Sequence, residues 1–313
     1  MTYLVATTII AVAAFCSGMV QTAAGPAHYS WANVTPAANF PQSYNYPVFV
    51  FGDWMVALNN GAWLSNDGSR WVKTNLADSG LNSAYQKYVQ FNGAIYALGT
   101  MGGNIENLRL TTRISRTRDF QTWETMAESS NLPERVFYGA AVFKSKIWLV
   151  GGWDGKRYYN DVWNSADGVH WKRVTENAPW SPRTTDIIVF KNKLWLLGGG
   201  VIDGEPTNGN SFRELWTSDD GRVWSEVKEA KRKWRGTPIV FDGKLWLIGT
   251  NHHGAEIALW VSDNGVTWQE QSAPWSPRGA VAAWVFDGKL YMTGGKSSHT
   301  ENGEIKFVYS RVL

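Results

Sequence analysis

Apolar residues fall along this chain in short runs, each entered through a polar turn and most of them closed by glycine. The segment Phe241 to Trp268, FDGKLWLIGTNHHGAEIALWVSDNGVTW, holds one full period. Asp242-Gly243-Lys244 turns the chain into Leu245-Trp246-Leu247-Ile248, which ends at Gly249. A run this short, bounded by turn residues, reads as a buried strand. After a loop comes Leu259-Trp260-Val261-Ser262, and Asp263-Asn264-Gly265 then leads to Trp268. Asn and Gly tolerate positive φ and suit a tight hairpin. The period is therefore strand, loop, strand, turn, strand.

Two landmarks repeat with it. Phe51, Phe91, Phe143, Phe190, Phe241 and Phe286 open the inner hairpins, and Trp71, Trp123, Trp171, Trp224 and Trp268 close the outer ones. Within a unit, strand a ends at the Phe (Thr185 to Phe190, Val281 to Phe286) and strand b is the apolar run. Strand c carries Trp-x-Ser, as in Trp63-Leu64-Ser65, Trp163-Asn164-Ser165, Trp216-Thr217-Ser218 and Trp260-Val261-Ser262, and strand d begins near the closing Trp. The second unit reads Arg113-Ile114-Ser115 at strand c, with a longer turn before Trp123. Six openings against five closings leave the last unit, near Phe307-Val308-Tyr309-Ser310, one outer strand short. Trp31-Ala32-Asn33-Val34-Thr35 matches Trp171-Lys172-Arg173-Val174-Thr175 in its Trp, Val and Thr and lies upstream of the first unit. The expected fold is all-β: a six-bladed β-propeller of four-stranded antiparallel blades, its ring closed by the N-terminal strand pairing into the last blade. Closure removes strand edges and buries each sheet between two neighbours.

Gly151-Gly152, Gly198-Gly199 and Gly294-Gly295 follow strand b, an aromatic sits in strand c and a Trp in strand d. Together with VFDGKLW and the two APWSPR segments (Ala178 to Arg183, Ala273 to Arg278) this resembles kelch repeats of the galactose-oxidase central-domain superfamily. The turn before strand d, best seen in Thr217 to Trp224, resembles the Asp-box of sialidases. The resemblance covers about residues 28 to 313, with Asn59-Asn60 in place of the glycine pair in the first unit and Gly-Thr in the second and fifth. A copper site of the galactose-oxidase type would need a Cys joined to Tyr, and the sole cysteine, Cys16, lies in the leader. The arginines do not fall in sialidase motif contexts. The resemblance leaves one enzymatic alternative, a sialate-mutarotase-like epimerase using arginines for the sugar carboxylate and an acid among Asp186, Asp154, Asp203 and Glu205.

Composition changes the picture in three places. Nineteen Trp among 313 residues is the count a repeat produces when each copy carries its own packing anchor. A net charge of +3 makes no electrostatic case for nucleic acid, and the basic run Lys228, Lys231, Arg232, Lys233, Arg235 reads as a solvated loop. Residues 1–24 carry no charge and a single apolar run ending in small residues. They read as a signal peptide cleaved after Ala24 or as a membrane anchor through residues 3–20. The propeller domain is then 25–313, and the protein secreted or periplasmic, touching a membrane only if the leader is kept.

The repeated residues read as scaffold, with Asp67, Asp167, Asp219 and Asp263 expected to hydrogen-bond their own hairpins. Function is then expected in what varies: the connections between strands b and c, Thr100 to Arg113, Trp153 to Asp161, Gly200 to Glu214, Asn251 to Ile257 and Lys296 to Ile305, which share one face. Arg135, Arg183, Arg235 and Arg278, each just before strand a, belong to that face together with Asp186. Two readings stand for them. They grip a carboxylate, sulfate or phosphate at the channel mouth, or they tie neighbouring blades by hydrogen bonds to loop carbonyls. Trp153, Asp154, Arg157, Tyr158, Tyr159, Asp203, Glu205, His252, His253 and His299 are the loop candidates for partner contact. The histidines read as solvent-exposed rather than as a metal site, and no cofactor is implied. The expected function is a non-catalytic binding or scaffolding module for a protein or a glycan, or a structural subunit of a larger extracellular assembly anchored by Trp153, Tyr158 and Tyr159.

Overall fold

A computed structural model describes residues 29–35, 38–44, 46–75, 86–102, 107–201, 212–228, 236–249, 259–301 and 304–309. The chain divides into two compact units, residues 1–32 and 33–313, and every sheet belongs to the second. Five repeats fold as four-stranded antiparallel meanders. The first is β1 (Val48–Phe51), β2 (Trp54–Leu58), β3 (Ala62–Ser65) and β4 (Val72–Lys73), and the second is β5 (Lys87–Phe91), β6 (Ala94–Gly102), β7 (Arg109–Thr117) and β8 (Glu124–Ala127). The third is β9 (Gly139–Phe143), β10 (Lys146–Val150), β11 (Val162–Ser165) and β12 (Lys172–Thr175), and the fourth is β13 (Ile187–Phe190), β14 (Lys193–Leu197), β15 (Leu215–Ser218) and β16 (Ser225–Glu226). The fifth is β17 (Thr237–Phe241), β18 (Lys244–Ile248), β19 (Leu259–Ser262) and β20 (Gln269–Glu270).

The sixth repeat differs from expectation. Its β21 (Ala282–Phe286) and β22 (Lys289–Thr293) form a two-stranded sheet, and β23 (Lys296–Glu301) pairs with β24 (Glu304–Tyr309) as a separate one. The described residues thus hold five four-stranded blades, not six, and residues 31–35 lie in no strand. The physical reason is local: β23 pairs with β24 from Lys296↔Tyr309 to Glu301↔Glu304, so Phe307 to Tyr309 bond to β23 and not to β22. Thr100 to Arg113, read as a loop, is likewise mostly paired: β6 and β7 run on past a bulge at Gly99 as far as Gly102↔Arg109. First strands follow one another in space, with β9 beside both β5 and β13, β17 beside β13 and β21, and β21 beside β1.

Each turn between the third and fourth strands is held by its own side chains. Ser65 Oγ accepts the Gly68 N–H at 2.9 Å, and Asp67 Oδ1 accepts those of Ser69 and Arg70 at 2.8 and 3.0 Å. The Arg70 N–H, more than any other contact, draws the Asp67 carboxyl down to about 2. Asp167, Asp220 and Asn264 do the same work in the third, fourth and fifth sheets. Asp219 and Asp263, expected in that role, stand one residue too early and pair across their hairpins with Lys193 (2.9 Å) and Lys244 (2.5 Å). In the second sheet Thr117 and Asp119 form the turn, and Thr117 lies opposite Ile95 as Ser165 lies opposite Ile147. Thr117, not Ser115, therefore occupies the Ser position, and the turn to Trp123 is no longer than that from Ser165 to Trp171. A slip of two residues keeps every side chain on its own face, so alternation alone does not expose it.

Sheets join through that same turn. Gly221 sits on the indole of Trp148 in the preceding sheet, so close that a Cβ there would overlap the ring. The turn glycines share a φ of 76–83°, Gly221 itself lying at 76°, where only glycine escapes both penalties. Gly168 on Tyr96, Gly265 on Trp195 and Gly68 on Tyr291 repeat the contact. The first and second sheets invert it: Val56 stands where the others have Trp or Tyr, and Phe120 replaces the turn glycine. Phe120 keeps φ at 56°, is buried, and meets Phe51 edge to face at 4.9 Å. Large and small have exchanged sides while the junction stays filled.

Phe120→Gly is expected to cost about 2–4 kcal/mol and Val56→Trp alone about 1–3 kcal/mol, whereas the double variant recovers most of the loss. Urea unfolding of the three proteins checks this, and simple additivity would contradict it.

Candidate functional site

The arginines before the first strands are placed by the glycine that ends the second strand. Arg135 donates from Nη1 to the Gly151 carbonyl (3.0 Å) and to Asp161 Oδ1 (2.5 Å), and from Nη2 to Asp161 Oδ2 (3.1 Å). Asp161 also accepts the Trp163 indole N–H at 2.7 Å. Arg183 repeats the scheme, with Nη1 on the Gly198 carbonyl (3.0 Å) and on Glu214 (3.1 Å). Each guanidinium lies under an aromatic ring, Tyr159 at 3.9 Å from Arg135 and Phe212 at 3.6 Å from Arg183. Both rings are fixed by their backbone N–H on the glycine pair, Tyr159 on Gly152 and Phe212 on Gly199. Tyr159-Asn160-Asp161 and Phe212-Arg213-Glu214 are thus one device, aromatic-x-acid just before the third strand. Its signal was in the sequence beside the arginines, but it recurs in only two repeats and sits in segments of unequal length.

Arg135 and Arg183 are buried, and their guanidinium groups brace their own sheet, while the Arg183 main chain ties the fourth sheet to the third, its N–H on the Tyr159 carbonyl (3.0 Å) and its carbonyl on the Gly152 N–H (2.9 Å). Burial lowers the Arg183 pKa against the pull of Glu214. Arg278 is also buried, donating to the Ser276 carbonyl (3.2 Å) and hydroxyl (3.0 Å), and burial lowers it too. In the second sheet Gln86 takes the arginine's place and donates to the Gly99 carbonyl. Asp186 is exposed and pairs with Lys87 at 3.2 Å. Arg235, Asp203, Glu205, His252 and His253 lie outside the described residues. His299 belongs to β23, opposite Lys306.

Of the candidates, the third sheet brings four together. Tyr159 donates its hydroxyl to Asp154, and Arg157 Nε donates to that same hydroxyl at 2.7 Å, its guanidinium 4.9 Å from the ring. Asp154 Oδ1 accepts the N–H groups of Lys156 and Arg157 at 2.8 and 2.9 Å. Partial burial raises the Asp154 carboxyl, but the Tyr159 hydroxyl and these N–H groups outweigh it and hold the acid below its usual range. Burial and the Asp154 contact push the Tyr159 phenol up. The four residues form a polar stack about the Tyr159 ring, with the Arg135 and Arg157 guanidinium groups against it and Asp154 on its hydroxyl, and with the Arg157 side chain 74 % exposed. Trp153 is instead buried, 5 % exposed, stacked with Tyr158 and packed with Met101 and Val136. That small core joins the β6–β7 extension to the β10–β11 connection. Among the described residues no cluster of three or more His, Cys, Asp or Glu is placed to hold a metal ion, and no helix is long and apolar enough to cross a membrane.

Repeated meanders packed through one kind of junction, with side-chain chemistry confined to connections, define a β-propeller. The profile of the DUF6242 beta propeller domain matches residues 17–233, and the chain belongs to that family. The solved structure of YjhT superposes with a TM-score of 0.66 at 12 % identity, over 88 % of this chain and 99 % of that one, a likeness of fold. No curated protein matches the sequence.

Arg135→Met leaves Asp161 charged and nearly dry, and is expected to cost about 3–5 kcal/mol. Adding Asp161→Asn, which keeps an acceptor for Trp163, should return about half of that. Equal losses in the single and double variants, by denaturant unfolding, would remove the brace from this account.

Proposed function

We propose that the protein is an exported, kelch-type propeller that acts as a binding or scaffolding module, taking a protein or glycan on the face that carries the β10–β11 and β14–β15 connections. The observation that carries this reading is the Tyr159 stack. In the fourth sheet the equivalent ring, Phe212, has no hydroxyl, so the Asp154–Tyr159–Arg157 array is more than the brace requires. It presents an exposed cation, an acid and a phenol on a rigid base, the mixture that recognises sugar hydroxyls or a peptide's polar groups. Arg135 and Arg183, spent on Asp161 and Glu214, act in this reading as the floor of the surface and not as its grip.

The scaffold is proposed to be a closed ring. β21 stands between β17 and β1, and Tyr291 meets Gly68 as Trp148 meets Gly221. The residues before β1 also repeat the contacts of a fourth strand. Thr35 Oγ1 donates to the Ser69 carbonyl at 3.1 Å as Thr175 does to Arg222 at 3.2 Å. Asn39 donates to the Trp71 carbonyl at 2.6 Å as Asn131 does to Trp171 at 2.7 Å. Phe40 meets Trp71 edge to face as Trp180 meets Trp224. In this reading residues 33–35 and 38–40 cover the first sheet as a preceding blade would.

The test is a glycan array probed with the intact protein and with the double variant Arg157→Ala, Tyr159→Ala. Retained melting temperature with a loss of about tenfold or more in binding is the expected outcome. Binding unchanged in the variant, or no glycan bound by the native protein and no effect of the variant on any protein partner, would overturn the reading.

A further inference from the structure

The opposite face, built from short turns, carries a cleft of about 430 Å³ between the second and third sheets. Its size is in the range of small-molecule sites and well beyond that of an inorganic ion. Met126 and Val169, both half-buried, and the edge of buried Tyr96 supply apolar wall, while Arg116, Arg118 and His170 supply polar groups.

Those polar groups are fixed, and what they leave unspent is donor capacity. Arg116 Nε is held by Glu124 at 2.7 Å and its guanidinium also bonds the Tyr96 hydroxyl, and Arg118 Nη1 is held by the Asn92 and Gly93 carbonyls at 3.0 and 3.4 Å, so other N–H groups of each guanidinium remain. His170 Nδ1 faces Asp167 Oδ2 at 2.7 Å, which leaves Nε2 on the far side of a ring 86 % exposed. Asp167, the acid in the wall, spends its oxygens on its own turn: on Ser165 Oγ, the N–H groups of Val169 and His170, and the His170 ring.

No other described repeat is built this way. The position of Arg118 is held by Ala166, Asp219 and Asp263 in the third to fifth sheets, the two acids being paired with lysines. The position of Arg116 is held by Asn164, Thr217 and Val261. We propose that this cleft binds an anionic saccharide of one or two rings bearing a carboxylate or a sulfate. Arg116 and Arg118 take the anion, and the apolar C–H face of a ring lies on Met126 and Val169. An aromatic base fits less well, because Tyr96 is 3 % exposed beneath Gly168 and has no face to offer.

Calorimetry with a galacturonate trisaccharide, a sulfated disaccharide and a neutral trisaccharide tests it. The proteins compared are the native form, Arg118→Gln, Arg116→Gln and the loop-face double variant Arg157→Ala, Tyr159→Ala. One of the two acidic probes should bind, the neutral one should not, and the acidic probe that binds identifies the anion. Arg118→Gln should weaken it roughly fivefold or more, as loss of a charge-assisted hydrogen bond does. The loop-face variant should bind the acidic probe at this cleft as the native protein does, since neither Arg157 nor Tyr159 lines it. Failure of both acidic probes, or equal binding by Arg118→Gln and Arg116→Gln with native melting curves, would overturn the proposal. Loss in the loop-face variant alone would place the sugar on the face proposed above and overturn this site while sparing that reading.

Discussion

A turn glycine resting on the aromatic ring of the preceding sheet is the contact on which the rest of this structure depends. It sets how near two sheets come, because any side chain on Gly221 would have to occupy the volume of Trp148. It also ties the turn's own hydrogen bonds to the sheet before it, since the Ser and Asp that shape the turn are what deliver the glycine to the ring. Local turn chemistry and long-range packing thus specify the same arrangement, which is the consistency a single native state requires. Val56 with Phe120 shows that the constraint is volume and not residue type.

Much of this was legible in the chain. The Phe and Trp landmarks locate the strands of the five meanders, because period-two burial and turn residues leave strong marks. Strand register in the second repeat was not legible: Ser115 and Thr117 point to the same face, and only pairing with Ile95 separates them. The sixth repeat misled for a related reason. Phe307-Val308-Tyr309 has strand character whichever neighbour it bonds to, and composition does not choose between β22 and β23. Of the candidate residues, the arginines were found but their partners Asp161 and Glu214 were not, since an acid before a strand looks like any solvated loop residue until the buried guanidinium is opposite it.

The two faces follow from this plan. Turns between the third and fourth strands must all fill the junction with the preceding sheet, by a glycine under a ring or, in the second sheet, by Phe120 beside Val56, so they stay short and alike, and a departure such as Arg116 with Arg118 stands out against the other repeats. Connections between the second and third strands meet no such demand. They are free to differ once the arginine brace has fixed their bases, which is how the third sheet carries a polar array where the fourth has a bare phenylalanine. Rigid bases under variable residues keep the ordering cost of binding low.

The junction between β22 and the first turn gives the most direct test of the account. Gly68→Ala places a Cβ 2.8 Å from the Tyr291 ring at a φ of 77°. Double-mutant cycles by urea unfolding, with Gly68→Ala, Tyr291→Ala and both together, measure whether the two positions feel each other. The account predicts that Tyr291→Ala removes a large part of the Gly68→Ala penalty, with a coupling of about 1 kcal/mol or more in a single cooperative transition. Strict additivity would contradict it, because the first sheet would then fold without regard to the sheet that should precede it.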